Sequence, residues 1–359
     1  MKIGIVGLPN AGKSSLFSAL TGVAAEAANY PFTTIEPNVA VVPVTDPRLE
    51  AVARVVGSSK IVPDTITFHD IAGLVAGAHR GEGLGNRFLG NIRETDAIVH
   101  VVRAHHDPNV IHPDGQVDSL RDIETVETEL IYADLEQAER RLERVSKTAK
   151  SGDKPSVAEA RWLEQVIEGL QAGRPARSVP PPAEAPNSPA MLGSLTAKPV
   201  LYVANVDEGA AEAPPEIARF AEEQGSAAVA VSARLEAELV ELDPTETAAM
   251  RTDLGLSESG LDAVIRGAFE LLELIAFFTA GEDKPAQSWH IHRGESAWNA
   301  AGQIHSDIQR GFVRAEVIAW DELVSAGGYA RARDRGTLRT EGRDYSVQDG
   351  DVITVRFAP

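Results

Sequence analysis

The chain has 359 residues, 43% of them hydrophobic, more than one ordinary core absorbs, which points to two or three domains. It contains no cysteine, so disulfides, thiolate metal sites and thiol nucleophiles are excluded together, in keeping with a reducing, cytoplasmic setting. A net charge of −19 argues against non-specific adhesion to nucleic acid by the whole surface, so any RNA contact has to come from a local basic patch.

Met1 leads directly into a core-type strand instead of a signal peptide. No apolar run approaches the ~20 residues of a membrane span, so no membrane partner is expected. Ile3 to Val6 reads as that strand, Gly7 to Ser14 matches G-x-x-x-x-G-K-[ST], and Leu16, Phe17 and Leu20 recur at helical spacing. A strand, a glycine-rich loop and a helix in this order let backbone N–H groups surround phosphate oxygens, with the helix N-terminus adding positive potential. Lys13 then reaches the β- and γ-phosphates of a nucleotide, and Ser14 ligates Mg²⁺. The following segment, residues 24–38, has little periodicity and carries Thr33 and Thr34. Phosphate-binding switches keep the threonine that senses the γ-phosphate and Mg²⁺ at this place. Val39 to Val44 and Thr65 to His69 read as strands, the second running into Asp70-Ile71-Ala72-Gly73. At the carboxyl end of a parallel strand Asp70 can hold Mg²⁺ through a water, and Gly73 frees an N–H for the γ-phosphate, although D-x-x-G is also an ordinary strand exit. Leu74 stands where many GTPases place the glutamine that orients the attacking water, so other groups or a partner must do so.

Ala97 to Arg103 reads as another buried strand. The loop after it holds His105, His106 and His112, which, without an acidic pair at metal-ligand spacing, read as solvated. From Ser119 to Lys150 an apolar stripe including Ile123, Leu130, Ala138 and Val145 predicts a long helix, and a second, from Ser156 to Leu170, follows a Gly-Asp-Lys-Pro turn. The two are expected to pair as an antiparallel hairpin. The first ends in Arg140, Arg141, Arg144, Lys147 and Lys150, which suits the helix dipole or a nucleic acid. Beyond an extended Pro-rich connector, residues 179–189, a strand from Pro199 to Ala204 delivers Asn205-Val206-Asp207-Glu208 where GTPases carry N-K-x-D. The aspartate of that motif reads guanine. Here Val206 replaces the lysine and Glu208, one methylene longer, the aspartate, so guanine selectivity should weaken. Ala227 to Val231 is a last strand, with Ser232-Ala233 in the place of the S-A loop that backs the base. A helix from Gly260 to Ile275 closes the domain. Strands at Ser288–His292, Ala315–Ala319 and Val352–Phe357, with a helix over Ala297–Ile308, then suggest a small α+β sheet with one covering helix. His290 and His292 share a strand face without a third ligand and read as surface residues. Arg331, Arg333, Arg335, Arg339 and Arg343, diluted by Asp334, Glu341 and Asp344, make a candidate RNA or ribosome contact.

Together GLPNAGKSS, NYPFTTIEPN, DIAGLVAGAHRGEGLGN, LYVANVDE and a C-terminal stretch ending in VQDGDVI resemble the YchF family, also called Obg-like ATPases, within the translation-factor-related P-loop GTPases. The resemblance implies an α/β fold: a doubly wound P-loop nucleotide-binding sheet over residues 1–118 and 196–275, an inserted α-helical hairpin over 119–195, and a C-terminal ubiquitin-like α+β TGS domain over 276–359. It also implies Mg²⁺-dependent binding and slow hydrolysis of ATP, preferred over GTP, and association with ribosomes; the protein is expected to be a cytoplasmic monomer. Carried over by position, Asn10, Ala11, Gly12, Lys13, Ser14 and Ser15 hold the phosphates, and Ser14 and Thr34 ligate Mg²⁺. Val206 contacts adenine through its backbone, with Asn205, Glu208, Ser232 and Ala233 around the base. His112 falls at the family's histidine implicated in hydrolysis, joining Lys13, Thr34 and Gly73 as catalytic groups. Ser15 and Ala11 stand where many relatives have threonine and valine, which removes no polar ligand. Two other readings stay open. Glu208, still a carboxylate, allows a GTP-selective GTPase, and Leu74 with the arginine-rich C-terminal stretch allows a nucleotide-gated ribosome or RNA adaptor whose hydrolysis is incidental.

Overall fold

The structure is a computed structural model that describes residues 1–26, 38–71, 84–107, 110–113, 115–256 and 258–358. In chain order, the strands of its first half are β1 (Lys2–Val6), β2 (Val39–Val44), β3 (Lys60–Val62), β4 (Asp64–Asp70) and β5 (Ala97–Arg103). They continue with β6 (Val200–Asn205), β7 (Ala227–Val231), β8 (Leu274–Thr279), β9 (Pro285–His292), β10 (Phe312–Ala319), β11 (Arg339–Glu341) and β12 (Asp351–Phe357). Two sheets result, ordered β2-β4-β1-β5-β6-β7 and β11-β10-β12-β8-β9-β3. By compactness the chain divides into two units, one holding Met1–Ala25 and Thr67–Ala268, the other Val41–Ile66 and Phe269–Pro359.

In the first unit β4, β1, β5, β6 and β7 run parallel. β5 and β6 are buried at every residue, which is why AIVHVVR and VLYVAN read as nearly unbroken apolar runs rather than alternating ones. Ile98, Val102, Tyr202 and Ala204 pack on Ile123, Val126 and Leu130 of the helix Ser119–Ala149 and on Ile217 and Ala221 of the helix Pro215–Glu223. The second part of that long stripe turns to a different partner. Ile131, Ala138 and Val145 meet Trp162, Leu163, Val166 and Leu170 of the helix Lys154–Gln171, forming the expected hairpin. Asp153 caps this second helix by accepting from Ser156 N at 3.0 Å, with Pro155 in its first turn. The hairpin clusters with the sheet in one compact unit instead of standing apart. The proline-rich connector is not wholly extended, since it leads into a short helix, Ser188–Leu192.

In the second unit, Ala297 and Ala300 of the helix Ala297–Ile304 cover one sheet face over Ile275, Phe277, Ile291, Val317 and Ile353. The opposite face, Ala276, Phe278, Ala286, Ile318 and Val352, is covered by Leu49 and Val52 of the helix Pro47–Val56 and by Leu323 and Ala326 of the helix Trp320–Ala326. One covering helix was therefore too few. Residues 41–66, which the sequence reading kept within 1–118, are compact with this C-terminal sheet, β3 pairing in parallel with β9 through Lys60 and Pro285. The helix read as Gly260–Ile275 ends at Leu271, and Glu273 (φ 51°) reverses the chain into β8 from Leu274. The helix read as Ala297–Ile308 breaks at His305, whose extended backbone (φ −170°) and Nδ1, accepting from Asp307 N at 3.1 Å, start a second helix, Ser306–Arg310.

Candidate nucleotide-binding site

A parallel sheet sends the carboxyl ends of β1, β4, β5, β6 and β7 to one edge, where α/β folds bind ligands. β1 ends in a loop that requires glycine twice. Gly7 has φ 152° and a Cβ there would stand 2.4 Å from the Val101 carbonyl oxygen; at Gly12 (φ 101°) it would stand 2.1 Å from Asn205 Nδ2. Asn10 is left-handed too (φ 63°) and donates from Nδ2 to Ile111 O at 2.9 Å. The loop delivers Lys13 to the first turn of the helix Lys13–Glu26. Lys13 is 8% exposed and its Nζ donates to Leu8 O at 2.7 Å. Burial lowers its ammonium to about 8, opposed by the Asp70 carboxylate at the end of β4. The same burial raises Asp70, with Lys13 pulling it back. Desolvation outweighs mutual attraction on both partners, so Lys13 stands to gain from any further negative charge brought beside it.

The ends of β5, β6 and β7 make the other wall. Asn205, 6% exposed, is its joint: Nδ2 donates to Ala11 O at 3.0 Å and lies 3.3 Å from His105 Nε2, and Oδ1 accepts from Ala233 N at 3.1 Å. Val206 N donates to Val231 O at 3.0 Å. Arg103, 2% exposed at the end of β5, donates to the carbonyls of His105 (3.3 Å), Asp107 (2.9 Å) and Val110 (2.9 Å). Its own carbonyl accepts from Ser119 Oγ at 2.8 Å. One buried arginine thus shapes the loop beside the pocket through its guanidinium and, through its backbone carbonyl, is tied to the start of the long helix.

The resulting cavity, about 470 Å³, is lined by Asn10, Gly12, Lys13, Ser14 and Ser15 on one side and Asn205, Val206, Glu208 and Ser232 on the other. Ala11 and Ala233 are buried behind it and act through backbone atoms on Asn205. Asp70 faces Lys13 but does not line the cavity. His112 is not in the lining either. It is 7% exposed with Nε2 2.9 Å from Asp122 Oδ2, and so is not the solvated residue its loop suggested. Thr34, Gly73 and Leu74 lie outside the described residues. His105, Asp107 and Arg234 also line the cavity, with Arg103 supporting the first two; no motif marks them, and the available signal was an arginine closing a buried, mostly apolar strand.

Both basic stretches are partly paired with acids. On the hairpin, Arg140 pairs with Glu136 (2.6 Å), Arg141 with Glu159 (2.8 Å) and Lys147 with Glu143 (3.2 Å). In the C-terminal unit the guanidinium carbons of Arg343 and Arg339 sit 4.7 Å and 5.6 Å from the ring centroids of Trp298 and Tyr345. Arg333 lies 3.9 Å from Glu316. His290 Nδ1 pairs with Asp64, and His292 Nδ1 lies 3.0 Å from Leu272 O.

Residues 2–138 match a family model described as 50S ribosome-binding GTPase, and residues 274–358 match the YchF-GTPase C-terminal model, described as a protein of unknown function (DUF933). A protein named Ribosome-binding ATPase YchF from Haemophilus ducreyi is 48% identical over 359 residues, covering 99% of both chains. Its namesake from Bacillus subtilis is 47% identical over 360 residues, covering 99% of this chain and 98% of the relative. Among solved structures, the Schizosaccharomyces pombe YchF GTPase matches with a TM-score of 0.87 at 34% identity, covering 99% of this chain and 97% of that one.

Proposed function

The chain belongs to the YchF family, and from that premise we propose that it is a ribosome-associated ATPase working as a nucleotide-dependent switch. ATP occupies the cavity, with Lys13 and the backbone of Asn10 to Ser15 on the phosphates and Val206 against adenine, flanked by Asn205, Glu208, Ser232 and Ala233. The observation that carries this reading is the Asn205 amide, whose bonds to Ala11 O and Ala233 N hold the phosphate loop and the base-side loop at one spacing. The donor set suits Mg²⁺. The Ser14 hydroxyl, exposed in the cavity, and the Asp70 carboxylate are hard oxygen ligands. Mg²⁺ is usually held in this way, by one or two protein oxygens plus phosphates and waters. Ser14 and Thr34 would ligate it, with Asp70 acting through a water. When bound, the ion neutralises charge on the phosphates. Thr34 and Gly73 sense the γ-phosphate and release on its loss, His112 takes the hydrolytic role that its position in the family assigns, and Leu74 keeps unassisted turnover slow.

We assign the parallel sheet to nucleotide binding, the hairpin 119–195 and C-terminal TGS-type sheet to partner contact, and the arginines from Arg331 to Arg343 to ribosomal RNA. Among the described residues no helix is long and apolar enough to cross a membrane. From the family's ribosome-binding relatives we place the protein in the cytoplasm, and we take it to act as a monomer. Glu208 in the lining favours a second reading, a GTPase, because a carboxylate there can accept from guanine. Titration calorimetry with ATP and with GTP, each with Mg²⁺, separates the two. ATP is expected to bind more tightly, and Lys13→Ala to weaken it by about a hundredfold. GTP binding tighter than ATP would reverse the assignment.

A further inference from the structure

Asn205 is hydrogen-bonded in a way that constrains its neighbour. Because Oδ1 accepts from Ala233 N, Nδ2 is the donor end, and its two hydrogens face Ala11 O at 3.0 Å and His105 Nε2 at 3.3 Å. His105 Nε2 must then carry a lone pair, which places the ring's proton on Nδ1. An imidazolium has no acceptor, so protonating His105 sets N–H against N–H and removes the contact. Nor is the backbone free to swing away, since Arg103 holds the carbonyls of His105, Asp107 and Val110.

From this geometry we propose that His105 is a positioning residue for the nucleotide cavity: as a neutral acceptor it holds Asn205 on the phosphate loop, and its protonation loosens ATP binding. The inference rests on the nucleotide reading of the cavity. The charged and titratable groups acting on the ring are Arg103, His106 and Asp107 on its own loop and Asp207 after β6, and Lys13, Glu208 and Arg234 share the cavity lining with it. Burial and then Arg103 hold the ring below the ordinary imidazole value of 6.5, while Asp207 and Asp107 oppose them. The sign follows: ATP affinity is intact at neutral pH and falls as pH drops through the lowered value.

Calorimetry of the full chain with ATP and Mg²⁺, in a series from about pH 7.5 down to about pH 4.5, tests this, comparing wild type with His105→Gln, a non-titrating acceptor, and His105→Leu, which has none. ATP's own protonation is common to all three. As pH falls through the lowered value the wild type should lose affinity that His105→Gln keeps, and His105→Leu should bind about fivefold more weakly at neutral pH. Parallel wild-type and His105→Gln profiles overturn the proposal, as does unchanged binding by His105→Leu. Nitrogen-15 NMR of the wild-type histidine rings needs no variant to fold: a proton on His105 Nδ1 is expected, and one on Nε2 at neutral pH overturns the inference. A wild type that binds no ATP would remove the nucleotide reading and this inference together; ATP binding with an Nε2–H ring would remove this inference alone.

Discussion

As the proposed phosphate ligand, Lys13 would act only while it keeps its proton, and the fold makes that condition narrow. Burial brings the free ammonium to about 8 from 10.5. A bound phosphate pulls the proton back, so ATP affinity should be level from neutral pH up to that value and fall as pH rises through it, approaching about tenfold per pH unit. Folding stability takes the opposite sign. The unfolded lysine stays protonated to 10.5 while the folded one releases near 8, so between these values the unfolded state binds more protons and stability rises with pH. Calorimetric affinities from about pH 7 to about pH 9.5 check the first statement, and a level profile would place the ammonium outside the phosphate's reach. Lys13, Ser14 and Asn205 were legible because their motifs are short spacings along one chain. Arg103 and His105 were not, because their meaning lies in contacts such as that between His105 and Asn205, 100 residues apart.

The long helix Ser119–Ala149 shows how one periodic stripe can serve two partners, the sheet through Ile123, Val126 and Leu130 and the hairpin through Ala138 and Val145. At the changeover Asp134 is fully buried and accepts from Ser194 Oγ, Leu195 N (2.8 Å), Thr196 N (2.8 Å) and Thr196 Oγ1 (2.7 Å). It pins the returning chain to the hairpin. Asp134→Ala would strand those donors and should cost the first unit about 3 kcal/mol, with Asp134→Asn costing less because it keeps one acceptor. Hydrogen exchange at the Leu195 and Thr196 amides reads this locally; unchanged protection in Asp134→Ala would show that the bonds contribute little. Periodicity exposed this helix because it repeats over many turns. The seven residues of Trp320–Ala326 and the six of Tyr329–Asp334 offer too few turns for a stripe, and the break at His305 depends on a cap rather than on a change of pattern.

At the scale of the whole molecule, the fold class was readable from the succession of strand, phosphate loop and helix, whereas the membership of residues 41–66 was not. Nothing local distinguishes a helix whose apolar side, Leu49 and Val52, waits for Phe278 and Val352 from one that packs on its sequence neighbours. The waiting has a temporal cost. During synthesis Leu49, Val52 and Ile61 leave the exit tunnel long before β8 and β9 exist, so a half-made chain carries sticky, uncovered surface through most of its elongation. Stalled chains ending before Leu274 should be clipped by protease between Val41 and Ile66, and released full-length chains should resist there; equal resistance would mean a temporary cover forms earlier. A protein proposed to attend ribosomes would thus, at its own birth, leave the tunnel mouth with a face that only its last strands can cover.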